Sequence, residues 1–157
     1  MPLQVAVCGP RMCSEEEWQD ACTTGRLLAE RGAVVICGGQ GGVMAAVAGG
    51  ARSAGGIVVG VLPAADRSSA DPALTVAIPT GLGEARNNVI VNAADAVIVI
   101  GGSWGTLSEL ALAMRSGRVP VVQLGGWHVL DEQGRPLSGI CHASTPRQAL
   151  ELTGLWS

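Results

Sequence analysis

Six short apolar runs set the terms for this chain: Leu3 to Cys8, Ala33 to Cys37, Ile57 to Leu62, Leu74 to Ile78, Ala96 to Ile100 and Val119 to Leu124. They are rich in valine and isoleucine and do not alternate with polar residues, which is the pattern of strands buried on both faces of a parallel sheet. Parallel neighbours need crossover connections, and helical periods fill most of the gaps. Ser14 with Glu17 forms a capping box ahead of the stripe Trp18, Ala21, Cys22, Gly25, Leu28 and Ala29, which stops at Gly32. The same spacing returns in Val89, Ile90 and Ala93, and in Leu107, Leu110, Ala111 and Met114, closed by Gly117. Strand alternating with helix predicts an α/β fold, a doubly wound parallel sheet with helices on both faces. With 157 residues it is expected to form one domain spanning 1–157. The Ser, Asp and Ala content of Pro63 to Pro72 predicts a mobile loop over one sheet edge, and Trp127 to Cys141 is expected to be irregular.

Several function classes are excluded by what the chain lacks. All ten cationic side chains are arginine. Without a lysine there is no Schiff base for a pyridoxal-phosphate enzyme and no G-x-x-x-x-G-K-[ST] phosphate loop. A net charge of -3 and the absence of Tyr and Phe remove the basic stripe and stacking platforms of a nucleic-acid binder. The five cysteines form no C-x-x-C pair and no His/Cys group at zinc spacing, so they are expected to be thiols, with no metal site. Met1-Pro2-Leu3 lacks the basic start of a signal peptide, and no apolar run approaches the roughly 18 residues a membrane span needs, so a cytoplasmic protein without membrane association is expected. Only 15% of residues are charged against 48% hydrophobic, which leaves little polar material to coat a monomer. A homodimer, or an assembly of dimers, is the expectation, with Leu112 and Val91 lying away from the stripes of their helices.

Ligands of open parallel sheets bind beyond the carboxyl ends of the strands, and the glycines gather there. Gly38-Gly39-Gln40-Gly41-Gly42 lies between a strand and a helix expected to start near Val43. Its glycines suit either close approach of backbone N–H groups to an anion or tight helix-to-strand packing, and no register gives the dinucleotide fingerprint G-x-G-x-x-G. Gly101-Gly102-Ser103-Trp104-Gly105-Thr106-Leu107-Ser108-Glu109 repeats the arrangement, with three glycines and two hydroxyls within its first six residues, a stronger phosphate cradle. Glu109 lies roughly 150° from the centre of the Leu107/Leu110/Ala111/Met114 stripe. It is therefore either a carboxylate of the site or the partner of Thr106 in a second capping box. The stretch also contains G-x-S-x-G, and Asp131 and His142 follow in hydrolase order, so Ser103 is an alternative nucleophile. Arg86 opens the Val89/Ile90/Ala93 stripe, and a guanidinium on a buried face needs an anion: Glu84, Glu109 or a ligand phosphate.

Gly38-Gly39-Gln40-Gly41-Gly42-Val43-Met44, Arg86-Asn87 and the Gly101 to Glu109 stretch together resemble the Lonely Guy (LOG) family, from Val5 to about Gly126. The family signature P-G-G-x-G-T-x-x-E is met at Gly102, Gly105, Thr106 and Glu109, with Gly101 for the proline and Ser103 for the second glycine. The signature G-G-G-x-x-G-L-M-G is met at Gly38, Gly39, Gly42 and Met44, with Cys37, Val43 and Ala45 substituted. The resemblance implies a Rossmann-like fold and dimers formed through this region. It also implies one of two functions: hydrolysis of the N-glycosidic bond of a cytokinin-type nucleoside 5'-monophosphate, or carriage of the molybdenum cofactor. Arg86-Asn87 stands where the hydrolases have Arg-Lys and is similar to the short carrier-like branch, which implies a binding protein with weak or absent hydrolysis; the phosphoribohydrolase is the alternative. No cofactor is required in either case, and the bound molecule is the molybdenum cofactor or an AMP-like nucleotide. By the same resemblance Gly38, Gly39, Gly42, Gly102, Ser103, Gly105 and Thr106 hold the ligand phosphate, Arg86 and Glu109 flank the ribose, and Met44 and Trp104 line the base or pterin pocket.

Overall fold

The computed structural model describes residues 1–157 throughout. Seven strands form one sheet: β1 (Gln4–Cys8), β2 (Val34–Cys37), β3 (Val58–Leu62), β4 (Val76–Pro79), β5 (Ala96–Ile100), β6 (Val121–Leu124) and β7 (Ile140–Ala143). Every pairing is parallel, in the order β4-β3-β2-β1-β5-β6-β7. The helices are α1 (Glu15–Glu30), α2 (Val43–Ser53), α3 (Arg86–Asn92), α4 (Trp104–Ser116) and α5 (Pro146–Leu152), with a single 3₁₀ turn at Gly83–Ala85. This is the doubly wound, Rossmann-like arrangement that the apolar runs predict. No helix is long and apolar enough to cross a membrane.

Two-residue alternation divides the side chains between two cores. Val5 and Val7 of β1, with Ile98 and Ile100 of β5, point to the layer containing α1, α2 and α5. Ala6, Cys8, Val97 and Val99 point to the layer of α3 and α4. On the first side α1 and α2 cross at small residues: a Cβ on Gly25 would lie 2.1 Å from the Val47 carbonyl oxygen, and one on Gly50 would lie 2.0 Å from that of Cys22. The Ser14–Glu17 capping box is present, with the Glu17 N–H donating to Ser14 Oγ at 3.1 Å and the Ser14 N–H to the Glu17 carboxylate at 3.0 Å. Within α1, Ala21, Gly25 and Leu28 are buried, whereas Trp18 stays exposed at the helix start.

Three expectations are corrected on the other side. α3 buries Arg86, Asn87, Ile90 and Val91, so Val91 belongs to the core at 3% exposure while Val89 faces outward. It thus offers no second buried face. α4 buries Thr106, Leu110 and Ala113 rather than the stripe of Leu107, Ala111 and Met114, and Glu109 is about 65° from the centre of that face at 100° per residue. Leu107 and Met114 are partly buried and pack against the same core from the flank of this face. Finally, Ile140 to Ala143 pair as the edge strand β7, which begins inside the tract expected to be irregular and runs past its end at Cys141. Its exposed Cys141 and His142 give it no apolar run to announce it.

The chain runs outward from β1 through β2, β3 and β4, then returns to β5 on the opposite side of β1. A crevice opens where the direction of winding reverses, beyond the carboxyl ends of β1 and β5. The register of Cys8 opposite Val99 brings the loop after β1 against the loop after β5.

Candidate functional site

A cleft of about 240 Å³ occupies this switch point. Arg86 and Asn87 enter from the start of α3, and Ser103, Gly105, Thr106 and Glu109 from the first turns of α4. Met44 of α2 is its one hydrophobic wall, and Glu84 lies at the rim before α3. Gly9, Pro10 and Arg11 after β1, and Gln40 after β2, complete it. Gln40 belongs to the Gly38–Gly42 stretch, whereas Gly9, Pro10 and Arg11 carry no glycine-rich motif of their own. Their signal was positional: β1 adjoins β5 at the winding reversal, so the residues after Cys8 had to border the same crevice.

Arg86 is the dominant charge. It is 7% exposed, and one guanidinium nitrogen, Nη1, donates to the carbonyls of Gly38 at 2.7 Å and Val61 at 2.6 Å. Nε is buried without a partner. The ion pairs of the chain, Arg26–Glu30 and Arg135–Asp131, are both elsewhere, so neither Glu84 nor Glu109 neutralises Arg86 by direct contact. A buried guanidinium with two neutral carbonyl partners and no counter-ion favours an anion beside it.

Glu109 is partly buried, and burial pushes its carboxyl up to about 7; a hydrogen bond with the Cys8 thiol and the charge of Arg86 pull the other way. Glu84 adds a smaller upward push. The Cys8 thiol is itself raised by burial and by Glu109, and burial pushes Cys37 up to about 12, so both remain thiols at neutral pH. Glu109 does not cap its helix. Ser103 occupies the cap position, its Oγ accepting from the Thr106 N–H at 3.1 Å and lying 2.9 Å from Thr106 Oγ1. The N–H groups of Trp104 and Gly105 make no hydrogen bond within the protein and are available at the helix end.

The remaining glycines do packing work. A Cβ on Gly38 would lie 2.8 Å from Arg86 Nη1 and 2.4 Å from Met44 Sδ, and one on Gly102 would lie 2.5 Å from the Trp127 ring. Gly39 backs onto Leu62, and Gly42 onto the carbonyls of Pro10 and Arg11. The Val43 N–H at the start of α2 donates to the Pro10 carbonyl at 3.0 Å. None of Gly38, Gly39, Gly42 and Gly102 lines the cleft. Trp104 does not line it either; its indole is 78% exposed and meets Trp127 edge to face at 5.1 Å. The serine-hydrolase alternative fails on geometry. Ser103 has ordinary extended backbone and bonds only to Thr106, the Asp131 carboxylate serves Gln133 and Arg135, and His142 stacks on His128 at 5.0 Å.

The molybdenum cofactor binding protein of the phototrophic bacterium Rippkaea orientalis superposes with a TM-score of 0.88 at 34% identity, over 97% of this chain and 95% of that one. The molybdenum cofactor carrier protein of Chlamydomonas reinhardtii gives 0.81 at 28% identity, over 96% and 95%. The cytokinin riboside 5'-monophosphate phosphoribohydrolase of Mycobacterium tuberculosis is 34% identical over 128 residues, 76% of this chain and 68% of that protein. Residues 2–150, all seven strands included, match the model of the SLOG cluster4 family, and the chain belongs to that family.

Proposed function

We propose that the cleft binds a phosphorylated, nucleoside-like molecule, the molybdenum cofactor or an AMP-like nucleotide, and that the chain acts as a carrier with little or no hydrolysis. The observation that carries this reading is the buried Arg86 charge, which has carbonyl partners but no carboxylate. A ligand phosphate supplies the missing anion, with the free N–H groups of Trp104 and Gly105 and the Thr106 side chain as further partners. Gly38, Gly39, Gly42 and Gly102 support such a site from behind, by letting Arg86, α2 and Trp127 pack closely. The molybdenum-cofactor proteins of similar fold support the carrier reading.

The placement of Glu109 beside Arg86 favours the phosphoribohydrolase as the second reading, in line with the mycobacterial relative. Glycosidic cleavage develops positive charge on the sugar, which an ionised carboxylate stabilises. With its carboxyl near 7, Glu109 is ionised only in part at neutral pH, and a bound phosphate shifts it further toward the neutral acid. This weighs toward binding without turnover. The test is release of ribose 5-phosphate from AMP: the carrier reading expects none above background, and robust release abolished by Glu109→Gln would replace it with the hydrolase.

We also propose that two copies associate through the flank of α4, where Leu107, Leu110, Ala111 and Met114 form an apolar groove of about 260 Å³ with Val129, Leu137 and Ile140.

A further inference from the structure

We propose that Asn87 is a specificity-determining residue whose side-chain oxygen requires a hydrogen-bond donor on the ligand, a sugar hydroxyl or a lactam N–H. The proposal rests on the reading of the cleft as a nucleoside-like site and goes beyond its phosphate end. Asn87 is 3% exposed, lines the cleft, and donates through Nδ2 to Ser108 Oγ at 3.1 Å. Ser108 in turn donates to the Gly105 carbonyl at 2.7 Å. A serine hydroxyl has one hydrogen, and that hydrogen is committed to Gly105, so Ser108 can only accept from Asn87. The amide is therefore fixed with its NH₂ toward α4 and its oxygen turned away.

That oxygen, Oδ1, is buried and has no donor. A buried amide oxygen without a partner is destabilising, and the arrangement becomes favourable when a ligand brings a donor to it. The neighbouring Arg86 Nε is the converse case, a buried N–H without an acceptor. Two consecutive residues at the start of α3 thus offer one unmet donor and one unmet acceptor. A bare anion answers only the first. A molecule carrying both an anionic oxygen and a nearby O–H or N–H answers both, and a site of this kind rejects analogues that lack the second group. A lysine at this position would reverse the requirement, because an ammonium only donates.

The test is calorimetric titration of the full chain with two sets of probes: AMP against 2'-deoxy-AMP and 3'-deoxy-AMP for the hydroxyl source, and IMP against purine riboside 5'-monophosphate, whose base has no donor, for the lactam N–H. Wild-type protein is expected to favour the donor-bearing member of one set by roughly three- to tenfold, the size of one hydrogen bond. Asn87→Leu removes the acceptor and should erase that preference. Ser108→Ala is the second variant; Ser108 is exposed, and its loss frees the amide to rotate without disturbing the core, so the preference should shrink there too. Equal affinity for all members in the wild type, or a preference that survives both substitutions, overturns this inference and leaves the cleft reading standing. Failure of every nucleotide to bind the wild type overturns this inference together with the AMP-like form of the cleft reading.

Discussion

Glu109 makes the local chemistry dependent on pH. Its carboxyl is raised from the ordinary carboxylate range to about 7, so between those values the folded chain holds a proton that the unfolded chain has lost. Stability then falls as pH rises through that interval, and above it the folded state has lost on the order of 3 kcal/mol. Glu109→Gln imitates the protonated form. It should raise the melting temperature at pH 8 and leave it nearly unchanged at pH 5; thermal unfolding at the two pH values checks this, and equal effects would show that the carboxyl is not held above its usual range. Anion binding follows the same sign. Ionised Glu109 repels a phosphate, so as pH climbs from 6 to 8 the affinity of the wild type for AMP should fall relative to that of Glu109→Gln, in which only the titration of AMP's own phosphate remains. Arg86 behaves differently, because it is structural as well as electrostatic. Its removal strands the Gly38 and Val61 carbonyls, at roughly 1–3 kcal/mol for each buried group left unpaired.

The helices show how far a sequence pattern reaches. The capping box of α1 could be read from Ser14 and Glu17 because both partners are local. In α4 the same reasoning offers Thr106 and Glu109 as one of two alternatives, and the cap lies one turn earlier, at Ser103. Ser103→Ala should therefore cost about 1 kcal/mol through loss of the cap, measurable by urea denaturation, and no stability change would contradict the assignment. Apolar spacing also misjudged which face of α3 and α4 is buried. The fault has a physical origin: Asn87 and Thr106 are buried beside the cleft, and periodicity counts only apolar residues. The inner strands were legible because burial on both faces writes itself as runs of valine and isoleucine; of the two edge strands, β4 keeps an apolar run although it is mostly exposed, and β7 does not. In the site, Arg86, Glu109, Ser103, Gly105, Thr106 and Met44 were all anticipated and do meet in one cleft. Trp104 and four of the glycines were assigned by motif, and a motif does not distinguish a glycine that admits a ligand from one that admits Trp127 or Arg86.

At the scale of the molecule, the order of strands decides where everything else goes. Reversal between β1 and β5 brings four loops to one end of the sheet, and the cleft forms there with no element dedicated to it. The apolar groove on the flank of α4 lies in the opposite layer from α1 and α2, and it gives the proposed self-association a surface. Light scattering at micromolar concentration should report a dimer or a multiple of it, and Met114→Glu should shift the mass toward the monomer; a monomeric wild type would contradict the proposal. The central claim is that the uncompensated charge of Arg86 makes this cleft a phosphate-ligand site. It is tested most directly by calorimetric titration of AMP, GMP and a molybdopterin source at pH 6 into the wild type and Arg86→Gln, with circular dichroism to verify folding. Saturable binding of at least one of them is expected, weakened tenfold or more in the folded variant. No binding to the wild type, or equal affinity after the arginine is removed, would contradict it.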